Sequence, residues 1–168
     1  MASVSGLSRD HRIRARDRAV AAALLALHNA PQIHYTQGPA RWEGINKKLN
    51  ARLGQFPRNA DCSSFATWCI WNGLHVGFGL GDLVNDARWS GGYTGTMLSN
   101  GKPVEEISSV QRADCVIYGT GAPGHHTAIV VGRAEDGTPM VVSHGSEPGP
   151  FYLPYNYRGD VMGFRRYV

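Results

Sequence analysis

The chain lacks an apolar run long enough to cross a bilayer: a spanning helix needs about 20 apolar residues, and the longest stretch, Ala19 to Leu27, stops at His28. Cysteine is scarce and odd in number, at three, and no two form a CxxC pair. This argues against a disulfide framework and a structural zinc site, and fits reduced thiols of a protein made in a cytoplasm. Charged residues reach only 18%, against 42% hydrophobic, which excludes the polar, highly charged composition of disordered chains. Acidic residues are outnumbered, giving a net charge of +4. A positive field favours approach to polyanions, but no basic-aromatic motif of nucleic-acid binding is present. Internal repeats and low-complexity tracts are absent too.

What is present is glycine and proline, 21 and 9 copies, the mark of short elements joined by tight turns. A length of 168 residues fits one compact domain, 1–168. Near the N-terminus Arg12, Arg14, Arg16 and Arg18 precede the apolar stretch, as in a signal peptide. Asp10 and Asp17 interrupt the basic region, however, and Ile13, Val20, Ala21, Leu24 and Leu25 follow helical spacing. The reading is an amphipathic first helix, with no cleaved signal and no membrane insertion.

That helix is expected over Arg9 to His28, N-capped by Ser8 and stopped at Asn29-Ala-Pro31. A short basic helix is expected between Trp42 and Leu53, ending at Gly54. After Asp61, the residues Phe65, Trp68, Cys69 and Ile70 repeat at helical spacing until Asn72-Gly73, so Cys62 falls in the first turn of a buried helix. Residues 76–101 read as a long surface excursion with a short helix near Leu83 to Ala87. Cys115–Tyr118, Thr127–Val131, Met140–Ser143 and Val161–Tyr167 are β-rich and separated by turns, an antiparallel sheet. Helices first and strands later predict an α+β domain.

A thiol is nucleophilic as thiolate, which a helix N-terminus favours. Cys62 has that position, and Asp61 reads as the N-cap. A catalytic thiol also needs an imidazole, itself held by a third polar group. His125-His126 and His144 stand at ends of predicted strands, where their side chains can reach a cleft.

Asp61-Cys62-Ser63-Ser64-Phe65 resembles the Asp-Cys-Ser-Gly start of the catalytic helix in NlpC/P60 cysteine peptidases. Ala113–Tyr118 and His126–Gly132 resemble that family's next two strands in order, and Val142-Ser143-His144 falls where it places its third triad residue. Tyr35 resembles a tyrosine that supports the site. Ile33–Gly38, Gly92–Gly95 and Ser143–Pro150 are also similar to peptidase domains of actinobacterial phage endolysins. Ser64 in place of glycine, Cys115 in place of an apolar residue and the long spacer before Cys62 depart from the pattern.

The resemblance implies a papain-like α+β fold with N-terminal helices and the catalytic helix packed on an antiparallel sheet. It also implies a peptidoglycan hydrolase cutting an amide bond of the stem peptide, with Cys62, His126 and His144 as triad, a thioester intermediate and no metal or cofactor. Tyr35, Asp61 and Ser63 would support substrate or site. The partner is bacterial peptidoglycan, with a separate wall-binding domain or subunit allowed, and the enzyme would act on the wall after release from the host cytoplasm. CHAP amidases share the Cys-then-His order, so the bond between muramic acid and L-Ala is the alternative. A zinc amidase using His125, His126, His144 and optionally a cysteine, and a non-catalytic wall-binding module, are the rivals. The assignment of His126 rests on strand parity. A three-residue loop Glu135-Asp136-Gly137 makes paired numbers sum to 272, which places His144 on the face of His126 and Ala128, the face expected to receive the helix, whereas a two-residue Asp136-Gly137 loop would put His144 on the other face.

Overall fold

The computed structural model describes residues 4–119 and 125–168. Helix α1 spans Arg9–His28, with Ser8 Oγ accepting the His11 N–H at 3.1 Å as its N-cap. Its alanines Ala15, Ala19, Ala22, Ala23 and Ala26 are fully buried and form a stripe of small side chains. The expected helix between Trp42 and Leu53 is broken into a 3-10 turn at Pro39–Trp42, a single turn of helix α2 at Glu43–Asn46 and a second 3-10 turn at Ala51–Leu53. Gly54 does take the left-handed conformation that ends the last turn.

Helix α3 spans Cys62–Phe78 and so runs past Asn72-Gly73, where the sequence suggested a stop. Both residues serve packing there. Asn72 Oδ1 accepts the Ala51 N–H and its Nδ2 donates to the Trp68 carbonyl. A Cβ on Gly73 would press into the Ala15 carbonyl oxygen, so this glycine lets α1 and α3 approach closely. The actual stop is Gly79, at φ +66°.

Residues 80–101 are not a surface excursion: Leu80, Val84, Trp89 and Met97 join the core. No helix forms over Leu83 to Ala87. The Asp82 carboxylate instead accepts the N–H groups of Val84, Asn85, Ala87 and Trp89, which folds the segment into a loop. Helix α4 follows at Thr94–Ser99.

Two strands, β1 at His34–Tyr35 and β2 at Asn59–Ala60, pair in parallel. The main sheet contains β3 (Lys102–Val104), β4 (Cys115–Tyr118), β5 (His126–Arg133), β6 (Pro139–Ser143), β7 (Phe151–Pro154) and β8 (Val161–Arg166). It is antiparallel, in the order β3-β8-β4-β5-β6-β7. The fold is therefore the expected α+β arrangement, helices packed on an antiparallel sheet, with β3 and β7 unforeseen.

The sheet's two faces have separate cores. Cys115, Ile117, Ile129 and Val142 pack with α1 and α3, while Val116, Tyr118, Ala128, Val130, Val141 and Phe164 form a second cluster on the far face. Burying each of the valine, isoleucine and phenylalanine side chains among them contributes about 1.5–3 kcal/mol. All three cysteines are free and buried. No helix among the described residues is long and apolar enough to cross a membrane.

Candidate active site

Cys62 opens α3, and what precedes it fixes that start. Asp61 accepts the Ser64 N–H at 2.9 Å while Ser64 Oγ accepts the Asp61 N–H at 2.9 Å, a reciprocal capping box. Ser63 Oγ donates to Asp61 Oδ1 at 3.2 Å. The second Asp61 oxygen takes Arg41 Nη1 at 2.7 Å, and Arg41 lies over the Trp42 ring and donates to the Gly92 carbonyl. Sequence reasoning missed Arg41, because nothing local ties position 41 to position 61.

The Cys62 thiol retains 7% exposure. Burial, and then the Asp61 carboxylate, push it up from 9 to about 11, against backbone N–H groups of Thr127, Ser63 and Cys62 itself. The Thr127 contact locates the sulfur. Val130 N–H bonds to Asp114 on the β4 side, so by alternation the odd-numbered N–H groups of β5 turn toward β6. Pairing with β6 ends at Ile129↔Val142, so the Thr127 N–H is not taken up by β6, and it favours the Cys62 thiolate. Cys62 thus lies where β6 parts from β5.

The histidines sit differently from the parity expectation. Near the turn, Arg133↔Pro139 and Gly132↔Met140 pair as read, with Gly137 at φ +86°. A bulge between Val130 and Gly132 then shifts the register, so that Val130 pairs Val141 and Ile129 pairs Val142. One extra residue turns every later side chain of β6 to the other face. Hence Ser143, not His144, shares the face of His126, and Ala128 lies away from α3 rather than toward it.

On that far face His126 is buried, paired with Tyr118 and stacked on its ring at 5.6 Å. Its Nε2 meets Ser143 Oγ at 2.7 Å, and Ser143 Oγ meets Tyr157 OH at 3.2 Å. Burial, with Arg158 next, lowers His126 from 6.5 to about 4, although Asp160 and Asp61 oppose this. A cavity of about 370 Å³ adjoins it, lined by His126, Ser143, Phe151, Tyr157 and Arg158 among others.

His144 lies on the α3 side, its ring 6.0 Å from Phe65 and 5.7 Å from Tyr35. Its Nε2 is 3.3 Å from the His34 carbonyl, and its Nδ1 is buried without a partner among the described residues. Burial lowers its pKa against the His34 and Ala60 carbonyls. Tyr35 reaches the site because β1 pairs with β2 immediately before Asp61, Tyr35 opposite Ala60. Its pKa is raised by burial and by Cys62 and Asp61, while the Gln37 amide that donates to its hydroxyl opposes this. His125 is exposed, its N–H on the Tyr118 carbonyl.

The structure therefore gathers Cys62, Asp61, Ser63, Tyr35 and His144 around the start of α3, and places His126 with Ser143 across the sheet. No hydrogen bond joins the Cys62 sulfur to an imidazole among the described residues. Nor do three His, Cys, Asp or Glu side chains cluster there as metal ligands. Ser143 was overlooked in sequence, although Gly132 inside a strand is a local sign of a bulge.

No protein-family model and no curated protein sequence matches this chain. Solved structures do. It is similar to NlpC2 from Trichomonas vaginalis, at TM-score 0.53 and 18% identity over 90% of this chain. It is also similar to NlpC1 from the same organism, at TM-score 0.52 and 17% identity over 89%. This chain spans about half of each, 47% and 44% of their lengths. At such identities the likeness concerns architecture, and this chain has the α+β fold of those NlpC proteins.

Proposed function

We propose that this chain hydrolyses an amide bond in the stem peptide of bacterial peptidoglycan, with Cys62 as nucleophile and His126 as general base. The observation that carries the reading is a cysteine at the first position of a capped, buried helix in an NlpC-like fold. The thiol at about 11 and the imidazole at about 4 make the resting pair neutral rather than an ion pair. Proton transfer then accompanies attack. The sulfur bonds to the substrate carbonyl carbon as its proton passes to His126. The leaving amine departs with that proton, giving a thioester. Water attacks the thioester, His126 takes its proton, and a free carboxylate and the thiol result. The N–H groups of Cys62 and Thr127 near the sulfur suit an oxyanion site. His144 and Tyr35 wall the nucleophile from the α3 side.

The setting we propose is that of a phage endolysin, made in the host cytoplasm, acting on the wall after release and aided by a separate wall-binding part. The test is mass spectrometry of fragments released from purified peptidoglycan. New amine and carboxyl termini within the stem peptide are expected, and a freed L-Ala amine would assign the muramoyl–L-Ala bond instead. Cys62→Ala should keep the circular dichroism of the parent and release nothing. Release by Cys62→Ala at the parent rate would sink the nucleophile.

A further inference from the structure

We propose that Ser143, extended by Tyr157, is the positioning residue that fixes the ring of His126, and that His144 instead holds the Tyr35 segment against α3. This rests on the reading of His126 as the base and deepens it.

Three contacts define the ring's place. Ser143 Oγ lies 2.7 Å from Nε2, the Tyr118 ring stacks on one side, and the chain passes so close at Gly145 that a Cβ there would come within 2.6 Å of the ring's Cε1. Both His126 and Ser143 are at least nine-tenths buried, at 5% and 2% exposure. A hydroxyl can accept one hydrogen bond while donating another. With the His126 proton on Nε2, Ser143 Oγ accepts it and donates to Tyr157 OH, 3.2 Å away. The proton is then fixed on Nε2 and the lone pair on Nδ1, the nitrogen free to take a proton from a thiol. Nδ1 makes no hydrogen bond among the described residues. A neutral hydroxyl orients the ring without the charge that would favour imidazolium, in keeping with the downward shift of His126.

His144 is ill placed for that work. It stands on the opposite face, its Nε2 is turned to the His34 carbonyl in β1, and its ring fills the space between Tyr35 and Phe65. Those contacts tie β1 to α3.

The experiment reads the His126 tautomer by ¹⁵N NMR of histidine-labelled protein, beside rates of fragment release from peptidoglycan. The parent should show the Nε2–H tautomer. Ser143→Ala should mix the two tautomers and lower kcat about tenfold, the worth of one such hydrogen bond, with KM unchanged. Ser143→Thr, which keeps the hydroxyl, should restore both. Tyr157→Phe, at a half-exposed position that tolerates change, should shift the His126 signals in the same sense by less. An unaltered tautomer in Ser143→Ala, or a tautomer change in His144→Ala but not in Ser143→Ala, overturns the assignment. The expected tautomer shifts in a parent that releases no fragments would uphold the Ser143–His126 pair and discard the hydrolase reading.

Discussion

Replacing Asp61 by Asn should make the Cys62 thiol more acidic by about one pH unit. The substitution is nearly isosteric, and Asn caps helices as well as Asp, so the Ser64 N–H keeps its acceptor. What changes is charge. Like charges on adjacent side chains, taken as about 5 Å apart at an effective dielectric of about 20, repel by about 3 kcal/mol, which sets the scale on which Asp61 opposes a Cys62 thiolate. Arg41 Nη1, 2.7 Å from Asp61 Oδ2, cancels about half of that. The remainder is about 1.4 kcal/mol, or one unit, and freeing the Arg41 charge acts in the same direction. The assay is the pH dependence of iodoacetamide alkylation, with peptide mapping to confirm the site. Cys69 and Cys115 have no exposed surface and should stay unmodified. At pH 8 the variant should react about ten times faster than the parent, and lose about 1–2 kcal/mol of stability from the broken pair. An apparent thiol pKa equal to or above the parent's would refute the electrostatic account.

Gly73→Ala should lower stability by up to about 2 kcal/mol, because overpacking against Ala15 costs about 1–3 and the gain in helix propensity returns only about 1. Gly81→Ala, where nothing lies within 4 Å of a Cβ, is the neutral control, and urea midpoints compare the two. Acid should also weaken the fold through His126. Its folded value of about 4 lies below the ordinary 6.5, so the unfolded chain binds the proton first. Stability is full above pH 6.5 and falls as pH drops toward 4, by on the order of 3 kcal/mol. Carboxylates titrate there too, so the measurement is the difference between the parent and His126→Gln, and parallel pH profiles would contradict the sign.

Local signals were enough where the chain's own neighbours decide the outcome. Ser8 and Asn29-Ala-Pro31 bracket α1 at Arg9–His28 as read, because a cap and a proline act within one turn. Asp61 as N-cap of the Cys62 helix is the same kind of signal. Asn72-Gly73 misled because a polar residue and a glycine can also mark a packing site. Asn72 satisfies a backbone N–H twenty-one residues upstream, and Gly73 answers to α1. Asp82 misled in the other direction: Leu83 to Ala87 has helical spacing, but one carboxylate collecting four N–H groups outweighs it.

The site shows where local reading stops. Cys62 could be placed from sequence because helix starts are written in adjacent residues. The relation of His126 to β6 could not, because parity along a strand survives only while the ladder is regular. The turn at Glu135-Asp136-Gly137 and its first two pairs follow the expected sum of 272, and the sum then falls by one at the bulge beside Gly132. That single residue exchanges Ser143 for His144 on the face of His126, and sends His144 to Phe65. Beyond Ile129↔Val142 the two strands no longer pair, and the Thr127 amide there is one of the groups that favour the Cys62 thiolate. The bulge and the parting of β5 from β6 together build the site. Ser143, the last residue of β6, and His144 just after it thereby reach opposite sides of the sheet end beside Cys62, Ser143 toward His126 and His144 toward Tyr35 and Phe65.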